Sequence, residues 1–121
     1  MDAFKAAGGS GKPCMTQVSF CYNEDEAKAK EIAYRYWPIS ANRGQLNREL
    51  PSWKHYEQLA TMTTPEQVAE EVVCGSDLER FVAKVRSAQE LGFDRIAIHQ
   101  IGPEQEPFLR FAKDELLPAL R

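Results

Sequence analysis

A chain of 121 residues with 43% hydrophobic and 27% charged side chains has room for one domain with a core of modest size. Its formal net charge of -3, with acids and bases interleaved, excludes the basic stripe that a nucleic-acid surface needs. No apolar run approaches the roughly 20 residues of a membrane helix, and Gly and Ser stand near the N-terminus in place of a secretory apolar region, so a soluble cytoplasmic protein without nucleic-acid or membrane partners is expected.

The chain opens on a tail ending in Gly8, Gly9, Ser10, Gly11, Lys12 and Pro13, expected to be a loop that leads into the first strand. The Gly-Ser-Gly-Lys run is not a phosphate loop: position 6 lacks the leading glycine, Pro13 stands where Ser or Thr belongs, and a strand follows instead of a helix. Residues 15–22 alternate, with Thr16, Val18, Phe20 and Tyr22 on one face and Gln17, Ser19 and Cys21 on the other, which predicts a strand with one apolar face. Asn23 followed by Glu26 has capping-box spacing and predicts a helix from Glu24, buried along Ala29, Ile32, Ala33, Tyr36 and Trp37 and stopped by Pro38. Residues 38–63 form a long excursion, in which Ser52, Trp53, Tyr56, Leu59 and Ala60 predict a short helix. Its aromatic residues, together with Tyr34, Tyr36 and Trp37, read as packing groups, and His55 reads as solvated.

Thr64, Pro65 and Gln67 then open a helix through Val68 and Val72, ended by Gly75. Ser76 to Glu79 repeats the capping spacing before Leu78, Phe81, Val82, Val85 and Gln89, a helix of about four turns that closes at Gly92. Residues 93–100 predict a second strand with Ile96 and Ile98 on one side and Ala97 and His99 on the other. A last helix from about Glu106 carries Phe108, Leu109, Phe111, Ala112, Leu116 and Leu117. The three cysteines, Cys14, Cys21 and Cys74, have no metal-ligand spacing and read as reduced structural thiols. The element order is that of an α/β fold with two parallel strands, whose open edges predict further strands outside this chain.

Several strings resemble one family in order and spacing. Gly11-Lys12-Pro13-Cys14 before Gln17-Val18-Ser19, then Glu24-Asp25-Glu26-Ala27 and Tyr36-Trp37-Pro38, look like the closing segment of luciferase-like TIM barrels of the F420-dependent glucose-6-phosphate dehydrogenase group. The second half adds Thr64-Pro65-Glu66-Gln67-Val68-Ala69, Cys74-Gly75-Ser76-Asp77, Gly92-Phe93-Asp94 and His99-Gln100-Ile101-Gly102-Pro103 with Gln105-Glu106. The resemblance implies an incomplete (β/α)8 barrel: residues 1–13 a loop or tail, 14–37 strand seven and its helix, 38–63 the excursion, 64–121 helices, strand eight and the closing helix. A whole barrel takes about 250 residues.

It also implies an oxidoreductase of the LLM class that transfers a hydride between coenzyme F420, or FMN as the alternative, and an organic substrate. The catalytic groups and most cofactor contacts would lie in the barrel part that this chain lacks, so no catalytic residue is assigned and the chain is expected to be a fragment without turnover of its own. Strand ends line the catalytic face of such barrels, which makes Tyr22, His99 and Gln100 the pocket candidates; the plainer reading is a structural histidine and a loop anchor. The family's sugar-phosphate cations fall on Leu46 and on Glu70 or Glu71, with Arg43 and Arg48 nearby, which implies a less charged substrate. The alternative is a non-catalytic α/β module that dimerises through its open strand edges or complements a partial barrel.

Overall fold

The computed structural model describes residues 1–42 and 44–121. Three parallel strands form one open sheet: β1 (Met15–Tyr22) lies in the centre, β2 (Val73–Gly75) on one side and β3 (Arg95–Gln100) on the other. β1 and β3 run in register from Met15↔Arg95 to Phe20↔Gln100. β2 pairs only with the last three residues of β1, Phe20↔Val73, Cys21↔Cys74 and Tyr22↔Gly75. The parallel α/β class is as expected and is compatible with part of a barrel, but there are three strands instead of two. β2 escapes a reading by periodicity because a three-residue strand has too little length to alternate; its pairing with β1 creates it.

The helices are α1 (Asp2–Phe4), α2 (Glu26–Tyr36), α3 (Leu46–Glu49), α4 (Trp53–Ala60), α5 (Pro65–Glu71), α6 (Leu78–Glu90), α7 (Gln105–Phe111) and α8 (Leu117–Ala119), the last two joined by a π-helical turn at Ala112–Leu116. No helix among the described residues is long and apolar enough to cross a membrane. The even face of β1, Val18 and Phe20, packs on Phe81, Val85 and Ala88 of α6 and on Phe108, Phe111, Ala112 and Leu116. Phe20 and Phe81 lie with ring centroids 4.6 Å apart at the centre of this layer. The odd face is covered only at its carboxyl end, where Cys21 and Cys74 meet Ala29 and Ala33 of α2 and Val68 and Val72 at α5. Met15, Gln17, Arg95 and Ala97 leave the other half of that face exposed.

Several expectations need correction. The loop expected over residues 1–13 is helical at Asp2–Phe4 and continues into the turn Lys5–Gly9, because the Phe4 ring folds back onto Gly9, where a side chain would not fit. Helix α2 starts two residues later than the Asn23–Glu26 spacing predicted: Asp25 is the cap, accepting from Lys28 N at 3.1 Å, while Asn23 accepts from Asp25 N. Asn23 and Asp25 are both capping residue types; the Asn23 side chain is spent on the turn before the helix, and Asp25 caps the first turn. Of that stripe only Ala29 and Ala33 are buried; Tyr36 and Trp37, at the end of α2, are 51% and 38% exposed. Leu109 and Leu117 are likewise exposed on the terminal helices, where the π turn shifts the buried face to Phe111, Ala112 and Leu116.

Candidate functional site

In open parallel sheets ligands settle outside the carboxyl ends of the strands, where the connections leave in opposite directions. Here β1 is that point: its chain leaves toward β2 on one side, and β3 lies on the other. Tyr22 closes β1. Its ring stacks on Phe111 with centroids 4.8 Å apart and sits near Phe108, so one side of the phenol is held by the core. The other side borders two open clefts, of about 310 and 240 Å³, which share Tyr22, Glu24 and Pro107. Burial, reinforced by Glu24 and Glu115, raises the Tyr22 hydroxyl above its ordinary pKa, so it stays a proton-bearing donor.

Gln100 holds the backbone of this residue. Its Oε1 accepts from Tyr22 N at 3.1 Å, its Nε2 donates to Ile101 O at 3.1 Å, and its carbonyl accepts from Gln105 Nε2 at 3.1 Å. Gln105 also donates to Gly102 O at 2.7 Å. Gly102 needs to be glycine on two counts, a φ of +89° and an Ile32 methyl in the space a Cβ would take. On the far side of β1, Asn23 N donates to Gly75 O, and Arg80 donates to Cys74 O while pairing with Glu26 at 3.3 Å. Lys30, 2.9 Å from Glu26, and then Arg80 hold that carboxyl below its ordinary range. The three strand ends are thus tied to one another and to α2, α6 and α7.

The structure brings Tyr22 and Gln100 together and sets His99 apart. His99 pairs with Ser19 and so faces the opposite side of the sheet, where Gln17 Nε2 donates to its Nδ1 at 3.2 Å and Trp37 meets it edge-on at 5.2 Å. It lines neither Tyr22 cleft. Sequence reasoning missed the acidic rim of those clefts, Glu24, Glu104, Asp114 and Glu115. Its cations are already engaged: Lys28 approaches Glu104 at 4.0 Å and Arg110 binds Glu106 at 2.7 Å. Asp114 and Glu115 stand in the π-helical turn after α7, and the packing of Phe111 on Tyr22 is what brings them to the end of β1.

Leu46 lies exposed in α3, and Glu70 and Glu71, at the end of α5, line a separate open cleft of about 390 Å³ with Asn42, Met62 and Gln67. Arg48 and His55 are exposed, and Arg43 lies outside the described residues. Among the cysteines, Cys14 is half-buried, while Cys21 and Cys74 are wholly buried. Burial, then the neighbouring Cys74, pushes the Cys21 thiol up to about 12, and burial pushes Cys74 up to about 11.

No protein-family model matches the chain. Curated relatives do. It is 33% identical over 108 residues to the F420-dependent glucose-6-phosphate dehydrogenase of Kribbella flavida, covering 88% of this chain and 32% of that protein. The protein of the same description from Amycolatopsis mediterranei is 30% identical over 106 residues, covering 87% and 31%. That from Segniliparus rotundus is 29% identical over 116 residues, covering 95% and 33%. The chain spans about a third of the length of the curated relatives it matches. Over most of its length it is therefore a homologue of the F420-dependent glucose-6-phosphate dehydrogenases, similar to the C-terminal segment of such proteins.

Proposed function

We propose that this chain is the C-terminal part of a luciferase-like, F420-dependent oxidoreductase that moves a hydride between the deazaflavin of F420 and an organic substrate. In this reading β1 and β3 are strands seven and eight of a (β/α)8 barrel, and Tyr22 stands at the mouth of the substrate pocket. The observation that carries it is Tyr22 itself, a phenol at the carboxyl end of the central parallel strand, in a chain homologous to F420-dependent dehydrogenases across most of its length. Two features of the sheet support the barrel. β2 pairs with only three residues of β1, leaving residues 15–19 with the room a longer strand would take, and half of the odd face is bare.

The Tyr22 clefts do not make an F420 site. The Tyr22 clefts are at the small end for a cofactor pocket, and their rim of four carboxylates, with Lys28 and Arg110 already paired, repels a phosphate-bearing group. In this reading the cofactor, and the catalytic groups with it, belong to barrel strands outside this chain. The substrate is less charged than a sugar phosphate, since an apolar residue and acids stand where the resemblance puts its cations.

Two experiments test this. Titration of F420 fluorescence with the purified chain should show no micromolar binding and no turnover; binding would overturn the assignment of the cofactor to the remainder. Exchanging the corresponding third of the Kribbella flavida relative for this chain should give a chimera that binds F420 and has lost most of its glucose 6-phosphate oxidation. A chimera as active as its parent on that substrate would refute the reading of the substrate.

A second reading, a non-catalytic α/β module that pairs with another copy, draws support from the free outer edge of β3.

A further inference from the structure

Two of the three cysteines, distant in sequence, are neighbours in the sheet. Cys21 of β1 and Cys74 of β2 are register partners, both wholly buried and both packed into the same cluster with Ala29, Ala33, Val68 and Val72. Register partners on parallel strands project from the same face. Adjacent strands lie about 4.7–4.9 Å apart, inside the window of about 4.4–6.8 Å between Cα atoms that a disulfide spans. Each thiol has one weak backbone contact to give up: Cys74 Sγ donates to Val72 O at 3.5 Å, and Cys21 is hydrogen-bonded to the backbone at Ala33.

We propose that Cys21 and Cys74 are a modification site, a dithiol that an oxidant of the disulfide class closes into a bond between β1 and β2. Access comes through β2. It is an edge strand of three residues, held by three register pairs and by Arg80 at Cys74 O, so it opens by a local motion smaller than unfolding. On opening, the Cys74 thiol loses its proton to solvent and its sulfur attacks one sulfur of the oxidant, breaking the oxidant's disulfide and releasing one of its halves as a thiolate. Cys21, deprotonated in turn, attacks Cys74 Sγ and releases the second half. The two protein thiols give up two electrons and two protons, and the oxidant becomes two thiols. Burial keeps both thiols protonated in the closed protein, so the rate follows the opening of β2.

The bond would sit one residue before the Tyr22↔Gly75 pair, pinning the strand end that carries the phenol. Cys14 cannot compete within one molecule, because seven residues of strand at about 3.3 Å each put it about 23 Å from Cys21.

Exposure of the full chain to oxidised glutathione, followed by alkylation, intact-mass measurement and peptide mapping, tests the proposal. The expected product is about 2 Da lighter before alkylation, apart from any glutathione on Cys14, and contains a peptide linked from Cys21 to Cys74. The variants C21S and C74S should each stop at a mixed disulfide on the remaining partner, and C14S should close as the parent does. Separate glutathione groups on Cys21 and Cys74, links that involve Cys14, or two untouched buried thiols after Cys14 has reacted to completion would each overturn it. Mapping of the unsubstituted chain decides the matter even where a serine variant does not fold.

Discussion

Gln100 is the buried polar side chain of the core among the described residues, and its amide and carbonyl are spent on holding the strand ends: Tyr22 N, Ile101 O and the Gln105 amide. Replacing it by leucine keeps much of the volume and leaves Tyr22 N and Ile101 O without partners away from water, which costs about 1–3 kcal/mol. Urea denaturation of Gln100→Leu should therefore show a lower midpoint with an unchanged slope; an unmoved midpoint would remove Gln100 from the scaffold of the site. The buried thiols act on stability through pH. Their folded pKa values, about 12 for Cys21 and about 11 for Cys74, lie above the ordinary 9.0, so the folded chain holds these protons more tightly than the unfolded one. Their contribution is whole below pH 9.0 and is lost as the pH climbs toward those values. Midpoints measured from pH 8 to 11 should fall less steeply for Cys74→Ala than for the parent, and parallel declines would show that the thiols do not carry the alkaline limb.

At the scale of elements, α5 shows how a local signal becomes tertiary structure. Thr64 accepts from Gln67 N at 3.3 Å, Gln67 Oε1 accepts from Thr64 N at 3.0 Å, and Pro65 occupies the first turn, all in the arrangement the spacing predicted. The helix so started places Val68 and Val72 against Ala29 and Ala33, which is what covers the odd face of the sheet. Thr64→Ala should cost about 1 kcal/mol, read by denaturation, and amide exchange should rise along residues 65–72 more than in α6. Uniform loss of protection would mean that α5 does not open as its own unit. The same contrast sets what was legible in the sequence. β1, β3, α5 and α6 are strong periodic or capped patterns whose local preference agrees with their packing, so they could be read from the sequence. β2 was not, since Val73–Gly75 becomes a strand only by pairing with Phe20 to Tyr22. Alternation does place His99 and Gln100 on opposite faces, but only the register of β3 on β1, Phe20↔Gln100, shows that Gln100 is on the side of Tyr22. The apolar spacing of Tyr36 and Trp37 promised full burial, but Trp37 meets only the edge of His99 and both rings stay partly exposed.

For the molecule as a whole, the unresolved need is at the sheet's outer margins. β3 bonds to β1 along one edge, and its other edge offers a row of backbone donors and acceptors to solvent among the described residues. The devices that usually blunt such an edge are sparse here: β3 has no proline, and of its six residues only Arg95 carries a fixed charge. Ile96 and Ile98 pack against the core, which holds β3 extended with that edge open to another strand. If the chain is part of a barrel, the adjoining strand of the remainder covers this edge; made by itself, the chain should cover it with a second copy. Sedimentation velocity across a dilution series should then show a monomer and dimer in exchange. Ala97, exposed in the middle of β3, is the position to probe, because a two-fold pairing brings the two copies of a mid-strand residue close together. Ala97→Lys sets like charges against each other there without touching the core, and should weaken the dimer about tenfold or more, a change on the order of 1.4 kcal/mol. Thermal unfolding of the dilute monomer should be unchanged by the same substitution. A parent chain that stays monomeric at every concentration, or a lysine variant that associates as tightly as the parent, would place the association elsewhere or nowhere, and would leave the β3 edge to the barrel alone.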